Sequence, residues 1–285
     1  MITKGVIAAA GRGTRFFPVA KAVPKEMLPI VDRPIIQYIV EEFAAAGVKE
    51  IVIVTNTEES AAEKYFRPDK TLEAYLRRSG KREQLRQVQG LSRLARFRFV
   101  RQSGPYGNGT ACLAAEKHTA GKPFVFAFGD DLVLSRRSFT ARMLASYRRR
   151  PGLYMGVQEV RAAEVVKYGI VEPAGYARGR QVKSLVEKPP VSEAPSRLAV
   201  FGRYILPPEI FRALRETALG RGGELWMADA VQNLISKGVS AYYQKVEHGR
   251  WYTTGDPAAY LAAVRAYALS RRDYAKKLKD VFVQN

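Results

Sequence analysis

Apolar residues in the first part of the chain alternate between short continuous runs and helical spacing. Residues 5–10 form a continuous apolar run that ends at Gly11, which is typical of a buried parallel strand. From Pro34 onward, apolar residues recur at the spacing of an amphipathic helix that ends near Gly47. Residues 51–54 are a β-branched run. The order strand, helix, strand with short joints predicts a right-handed parallel crossover.

The same alternation continues further along the chain. Strands are predicted at residues 97–100 and 124–128, with a helix at residues 111–118 between them. We therefore predict an α/β fold with a Rossmann-like, open and mostly parallel sheet flanked by helices. A polar, basic stretch at residues 67–96 carries spaced leucines and predicts a helical insertion packed on the rim of the fold.

After Pro151 the pattern changes to shorter β segments separated by glycine and proline turns. These segments predict a small β-containing lobe at residues 151–206, of a size suited to binding a sugar. Helices then recur, and a basic helical tail is expected at residues 270–285. Neither a repeat nor a linker interrupts the chain, so we expect residues 1–285 to form one domain.

Composition narrows the class of protein. The chain has 285 residues, 47% hydrophobic and 26% charged, which excludes a disordered or fibrous chain. No apolar run approaches the roughly 18 residues that span a bilayer, so no membrane partner is expected. The single cysteine, Cys112, excludes an internal disulfide and is typical of a cytoplasmic protein.

The charge balance is strongly basic, with 47 Lys and Arg residues against 27 Asp and Glu residues and a net charge of +20. Such a surplus suits a polyphosphate substrate, a nucleic acid or an anionic membrane surface, or it serves only solubility. The basic residues are scattered, and neither a nucleic-acid-binding module nor an exposed aromatic platform accompanies them. We therefore expect binding to nucleic acid to be non-specific if it occurs at all.

The strongest local signal follows the first predicted strand. Gly11 and Gly13 lie where a parallel strand gives way to a loop, the usual ligand position of open α/β sheets. Glycines there let backbone N–H groups approach a base or a phosphate, and Arg15 adds a fork of donors for phosphate oxygens. A dinucleotide fingerprint needs a glycine where this chain has Phe16, and the Gly-Lys-Ser/Thr of a P-loop is missing. The spacing alone also fits an ordinary tight turn.

The residues after this loop carry a longer and more specific pattern, Lys-Ala-Val-Pro-Lys-Glu-Met-Leu-Pro, at positions 21–29. Residues 11–34 resemble the opening signature of the sugar-1-phosphate nucleotidyltransferases, in the form typical of the bacterial UTP:glucose-1-phosphate uridylyltransferases. The resemblance continues in the same order through residues 102–111, 129–130, 168–169, 187–189, 202–204 and 224–230. It therefore covers almost the whole chain.

This resemblance implies an enzyme that forms UDP-glucose and pyrophosphate from UTP and glucose-1-phosphate by Mg²⁺-assisted attack of the sugar phosphate on the α-phosphorus. Such a reaction requires two polyanions to be positioned and neutralised, and it needs no side-chain nucleophile. The resemblance also implies a homo-oligomer. Two alternatives stay open: a thymidylyltransferase that uses dTTP, and a catalytically silent paralogue that binds UDP-sugar.

The resemblance assigns roles to particular residues. Arg15 and Lys25 are expected to hold the UTP phosphates, and Lys188 the phosphate of the sugar. Glu187 resembles the carboxylate that accepts the sugar hydroxyls, and Gly169 is expected to bring backbone against the hexose. The residues implied to bind the nucleotide are Ala9, Ala10, Gly11, Gly13, Gln102 and Gly107.

The implied metal site departs from the family pattern. Asp130 follows an apolar strand and resembles the aspartate that binds Mg²⁺. A second aspartate is expected two residues before a glycine near the end of the chain, where this sequence has Thr253. Either Asp131 or Asp256 supplies the missing carboxylate, or water and UTP complete the shell around Asp130, or activity has been lost. We favour completion by water and UTP.

Overall fold

The computed structural model describes residues 1–57, 60–175 and 180–276. The strands within them are β1 (Lys4–Ala9), β2 (Pro29–Ile30), β3 (Arg33–Pro34), β4 (Glu50–Thr55), β5 (Arg96–Arg101), β6 (Phe124–Phe128), β7 (Asp131–Ser135), β8 (Leu153–Glu159), β9 (Gly169–Pro173), β10 (Val182–Glu187), β11 (Leu198–Leu206), β12 (Ala241–Lys245) and β13 (Gly249–Thr253). The α-helices are α1 (Ile35–Ala45), α2 (Ala61–Phe66), α3 (Lys70–Arg78), α4 (Arg82–Arg93), α5 (Asn108–Ala114), α6 (Glu116–Thr119), α7 (Phe139–Arg149), α8 (Ile210–Glu216), α9 (Met227–Ser236) and α10 (Pro257–Ser270).

A nine-stranded sheet forms the centre of the fold. Seven of its strands follow the order β10-β9-β11-β6-β1-β4-β5, and β8 adds to β11 and carries β12. The strands β6, β1, β4 and β5 are parallel neighbours, whereas β11 runs antiparallel to β6. The predicted α/β fold, with a mostly parallel central sheet flanked by helices, is confirmed.

The central strands are continuous apolar runs because helices cover both faces of the sheet. In β1, Val6 and Ile7 are both fully buried although they point to opposite faces of the sheet. Ile7 packs in the core that α1 and α7 cover, while Val6 packs in the core beneath α8 and α9. Each helix layer therefore buries one set of alternate strand positions.

The later β segments extend the same sheet. The strands β8, β9, β10 and β11 occupy the stretch for which a small lobe was predicted, and they join the sheet through the β11–β6 pairing. Within residues 67–96, α3 packs on α4, and α4 packs on β5. Residues 272–276 are helical, and the rest of the predicted tail, residues 277–285, lies outside the described residues. No helix in the described part of the chain is long and apolar enough to cross a membrane.

A separate two-stranded ladder was not predicted from the sequence. The strand β7 starts directly after the turn that ends β6, and it pairs antiparallel with β13. This register places Thr253 opposite Asp131. The ladder thereby brings a segment from near the end of the chain to the carboxyl end of a central strand.

A buried ion pair ties α1 to β11 behind this ladder. The Arg203 side chain is fully buried and donates to Glu42 Oε2 at 2.8 Å and to the Asp131 carbonyl oxygen at 3.1 Å. Glu42 also accepts from the backbone N–H and the hydroxyl of Thr140, at 2.9 and 2.5 Å. Since these groups are withdrawn from water, each depends on its partners for compensation of its charge or dipole.

We expect Glu42→Ala to lower the free energy of unfolding by about 3 to 5 kcal/mol, because it leaves the Arg203 guanidinium buried without a counter-charge. Urea unfolding followed by circular dichroism measures this loss. The matched control is Arg212→Ala, which breaks the exposed pair between Arg212 and Glu216 and should barely move the midpoint. Equal losses in the two variants would contradict the structural role of the buried pair.

Candidate active site

The carboxyl ends of β1 and β6 lie side by side because the two strands are parallel neighbours. The chain leaves β1 through Ala9 and Ala10, which are both buried, and enters the glycine loop. It leaves β6 through Gly129, whose N–H donates to the Ala8 carbonyl oxygen at 2.8 Å. A Cβ added at Gly129 would lie 2.9 Å from that oxygen, so this close approach requires glycine. The two loops that follow are therefore held against each other.

Lys25 and Asp130 join these two loops. The Lys25 Nζ lies 2.5 Å from Asp130 Oδ2, and the two side chains are 19% and 18% exposed. Gly11 and Gly13 leave room for the lysine: a Cβ added at Gly11 would lie 3.2 Å from Nζ, and Gly13 has a φ of +63°. Burial lowers the pKa of Lys25, but the contact with Asp130 outweighs it, so the pKa lies above its ordinary value. The ammonium is therefore charged at neutral pH.

Residues after β13 complete this side of the site. Three polar atoms converge on Gly255: Thr253 Oγ1, Asp130 Oδ2 and Arg15 Nη1, at 3.4, 3.5 and 3.6 Å from a Cβ added there. Thr254 is fully buried and donates its N–H and hydroxyl to the Asp130 carbonyl oxygen at 2.7 and 2.9 Å. The backbone of Asp130 is thus fixed by β13, while its carboxylate faces Lys25.

The donor set beside Gly255 fits a hard divalent cation that arrives with its substrate. Asp130 and Thr253 both offer oxygen, and Mg²⁺ often takes only one or two protein carboxylates together with water and phosphate oxygens. Elsewhere in the described residues, as here, no group of three or more His, Cys, Asp or Glu side chains is arranged to hold a metal by itself. Asp130 and Thr253 by themselves would therefore leave most positions around such a cation to water or to phosphate oxygens.

The two other carboxylates considered as metal ligands are engaged elsewhere. Asp131 is buried and accepts the Gly202 N–H at 2.6 Å and the Trp251 Nε1–H at 2.8 Å. Burial and the neighbouring charge of Asp130 raise the pKa of Asp131, and these two donors oppose that effect. Asp256 accepts the Ala259 N–H at 2.9 Å and caps α10. Both carboxylates therefore accept hydrogen bonds from protein groups in the structure.

A cavity of about 210 Å³, here called the inner cavity, opens beside Asp130. Gly169 and Glu187 line it at the paired ends of β9 and β10. A Cβ added at Gly169 would lie 3.0 Å from Glu187 Oε2. Burial raises the pKa of Glu187 to about 7, although the Lys188 ammonium opposes the rise. The inner cavity is thus lined by the Glu187 carboxyl group and, at Gly169, by backbone that carries no side chain.

A wider cleft of about 760 Å³, here called the outer cleft, lies in front of the inner cavity. Its lining includes the three cations predicted to bind phosphate, Arg15, Lys25 and Lys188. Glu187 and Lys188 line both spaces, and the Lys188 Nζ lies 3.5 Å from Glu187 Oε1. The outer cleft can therefore hold a polyanion. The inner cavity can at the same time hold a polar group that belongs either to that molecule or to a second one.

Gln102 and Gly107 lie on the other flank of the site. Gln102 follows β5, donates its backbone N–H to the Thr55 carbonyl oxygen at 2.8 Å, and lines neither the inner cavity nor the outer cleft. Gly107 has a φ of +141°, and a Cβ added there would lie 2.3 Å from the Leu225 carbonyl oxygen. Close packing against Leu225 therefore accounts for this glycine without any bound base.

Six aromatic residues line the inner cavity, and the sequence assigned a role to none of them: Phe128, Tyr168, Phe201, Tyr204, Trp226 and Trp251. The Tyr204 phenol is buried, and burial raises its pKa above the ordinary range. Tyr168, Tyr204 and Trp226 fall in the matched segments 168–169, 202–204 and 224–230. Those segments mark the region but do not tell which aromatic side chain faces a cavity.

Glu26 lies next to Lys25 and is only 4% exposed. Its Oε2 has no hydrogen-bond partner among the described residues. Burial raises the pKa of Glu26 to about 7, against the opposing effects of its own backbone N–H and of Lys25. The Glu26 carboxyl group is therefore costly to ionise in the folded chain.

Comparisons with known proteins point in one direction. Residues 4–270 match the family model described as Nucleotidyl transferase. The chain is 40% identical over 285 residues to the UTP–glucose-1-phosphate uridylyltransferase 1 of Staphylococcus saprophyticus, covering 100% of this chain and 98% of the relative.

Solved structures agree with this similarity. A UDP-glucose pyrophosphorylase complexed with UDP-glucose is 37% identical, with a TM-score of 0.84 over 95% of this chain and 100% of that chain. The UTP-bound UGPase of Acinetobacter baumannii is 32% identical, with a TM-score of 0.90 over 100% of this chain and 99% of that chain.

The buried carboxyl group of Glu26, whose Oε2 has no partner among the described residues, should make stability depend on pH. The pKa of Glu26 is about 7 in the folded chain, compared with an ordinary value of 4.5. The folded chain therefore favours the protonated form, and the stability that this form contributes is fully present below pH 4.5 and is lost as pH rises through 7. Glu26→Gln should therefore match the wild type near pH 4.5 and exceed its unfolding free energy above pH 7, by up to about 3 kcal/mol. Urea unfolding across this pH range measures the difference, and a difference independent of pH would contradict the assignment.

Proposed function

Because the chain belongs to the nucleotidyl transferase family, we propose that it is an enzyme that forms UDP-glucose and pyrophosphate from UTP and glucose-1-phosphate. The observation that carries the proposal is the convergence of Lys25, Asp130 and Lys188 on two connected spaces at the carboxyl end of the sheet. A relative named for this activity is 40% identical over the full chain, and similar structures are described with UTP and with UDP-glucose bound.

The reaction needs positioning and neutralisation of charge. A phosphate oxygen of glucose-1-phosphate attacks the α-phosphorus of UTP, and the bond to the bridging oxygen breaks, so that its electron pair leaves with pyrophosphate. Arg15 and Lys25 hold the phosphates of UTP in the outer cleft, and Lys188, which also lines the outer cleft, holds the attacking phosphate. Fixed cations at both reactants lower the barrier because their charges are already oriented when negative charge is redistributed.

The remaining proposed contacts are with the hexose, in the inner cavity, and with the nucleotide. Glu187 accepts hydroxyl groups of the hexose in the inner cavity, where Gly169 brings backbone close to the ring. Residues 151–206 thus supply the sugar side of the site, whereas residues 67–96 and 270–276 line neither space. The proposed nucleotide-binding residues are Ala9, Ala10, Gly11, Gly13, Gln102 and Gly107.

The proposal includes Mg²⁺ as the cofactor, with Asp130 as its protein carboxylate and the Thr253 hydroxyl beside it. An ion held there would supply further positive charge to the substrate phosphates. The Lys25 ammonium pairs with the Asp130 carboxylate beside the inner cavity. Thr254 keeps the backbone of Asp130 in place.

We extend the proposal to the setting of the enzyme. A single free and buried thiol, Cys112, is in keeping with a cytoplasmic location. A homo-oligomer follows from the family resemblance alone. The surplus of positive charge serves the phosphates of the substrates and solubility, with only non-specific attraction to nucleic acid.

One observation favours a second candidate function. Thr253 stands where the family pattern has an aspartate, and a hydroxyl is a weaker, neutral ligand. A silent protein that binds UDP-sugar would keep the cavities and lose turnover. The signature around Lys25 has the form typical of UTP users, which places dTTP second as a nucleotide substrate.

We expect Lys25→Ala and Lys188→Ala each to reduce turnover by about 100- to 1000-fold, since each removes one oriented charge from the reacting phosphates. Initial rates of pyrophosphate release measure the loss. Lys122→Ala is the matched control, because Lys122 is exposed and lies near the opposite end of β6 from Asp130. A Lys25→Ala enzyme as active as Lys122→Ala would overturn the phosphate assignment.

Thr253→Asp should lower the Mg²⁺ concentration that gives half-maximal turnover, because it adds a carboxylate beside Asp130. Thr253→Asn has a similar size and no charge, so it should leave that concentration nearly unchanged. Titration of activity with MgCl₂ measures both variants. Turnover that appears only in Thr253→Asp, with none in the wild type at any Mg²⁺ concentration, would establish the silent binding protein instead.

A further inference from the structure

The Lys188 ammonium lies directly over an aromatic ring. Its Nζ is 3.4 Å from the centre of the Trp226 ring system, well inside the range in which a cation is attracted to the face of an indole. Trp226 lines both the inner cavity and the outer cleft, so the ring forms part of the wall between them. The contact therefore lies where the two spaces meet.

Both partners of this contact are fixed by their backbones. Lys188 has a φ of +47°, in the left-handed region that non-glycine residues rarely adopt, and its N–H donates to the Tyr168 carbonyl oxygen at 3.0 Å. Trp226 immediately precedes α9, and the next residue, Met227, donates its N–H to Asn108 Oδ1 at 2.7 Å. The structure thus maintains a constrained lysine opposite an anchored ring.

We propose that Trp226 is a positioning residue that holds the Lys188 ammonium ready for the phosphate of the sugar substrate. The inference rests on the proposed function, because it concerns the cation assigned to that phosphate. Trp226 acts through Lys188 and makes no contact of its own with the reacting atoms.

An aromatic ring suits this task better than a second carboxylate. The ring attracts the ammonium through its quadrupole and carries no net charge, so it leaves the full positive charge of Lys188 available to a phosphate. Glu187 already faces the same ammonium at 3.5 Å, and it is also assigned to the sugar hydroxyls. An ammonium has three donors, so contacts with the ring and with Glu187 leave capacity for a phosphate oxygen.

The test compares Trp226→Leu, which removes the ring, with Trp226→Phe, which keeps an aromatic face. Kinetics at saturating UTP should show a KM for glucose-1-phosphate raised roughly 3- to 30-fold in Trp226→Leu, the range expected for loss of a cation–π contact. The change in kcat should be smaller, and Trp226→Phe should restore most of the loss. Isothermal titration should show weaker binding of UDP-glucose and unchanged binding of UMP, which lacks the sugar phosphate.

A double-mutant cycle separates positioning from a structural role. In a Lys188→Ala background, Trp226→Leu should cause no further loss of UDP-glucose binding. An additive loss, or equal losses in Trp226→Leu and Trp226→Phe, would overturn the inference while leaving the proposed function intact. A wild type that forms no UDP-glucose would overturn the proposed function as well. Thermal unfolding checks each variant, and Trp226→Met serves the same comparison if Trp226→Leu does not fold.

Discussion

The contact between Lys25 and Asp130 depends on two parallel strands ending side by side. The residues are 105 positions apart, yet their side chains meet at 2.5 Å because β1 and β6 are neighbours in the sheet. The glycine loop after β1 is open enough to admit the lysine, and Gly129 brings the end of β6 against β1. The assignments of phosphate and metal sites follow from this one placement.

The position of Asp130 is supported from two sides. Thr254 holds its carbonyl oxygen from the end of β13, and the Arg203–Glu42 pair reaches the next residue through the Asp131 carbonyl oxygen. The Asp131 carboxylate in turn binds the Trp251 indole on β13. Removing polar groups from water costs free energy, and a buried polar network offsets this cost only when each group has a hydrogen-bond partner. Here the network fixes the Asp130 carboxylate at the edge of the inner cavity.

The sequence predicted the central strands and α1 because each is a local pattern with a clear period. The family resemblance assigned Lys25, Asp130 and Glu187 to one site, and in the structure each of them lines the inner cavity or the outer cleft. The β7–β13 ladder was not predicted, because pairing between residues about 120 positions apart leaves no periodic signal in the sequence of either strand. The role of Trp226 was not predicted for a related reason. The proposed role depends on the contact between its ring and Lys188, and only the folded backbone sets the direction of the ring. For Gly107, close contact with Leu225 supplies a reason for glycine that spacing could not reveal.

Incubation of the purified chain with glucose-1-phosphate and either UTP or dTTP, with and without Mg²⁺, tests the proposed reaction most directly when pyrophosphate and nucleotide sugar are quantified together. We expect equal amounts of pyrophosphate and UDP-glucose, formation only with Mg²⁺, and a higher rate with UTP than with dTTP. Binding of UDP-glucose without pyrophosphate release at any Mg²⁺ concentration would contradict it.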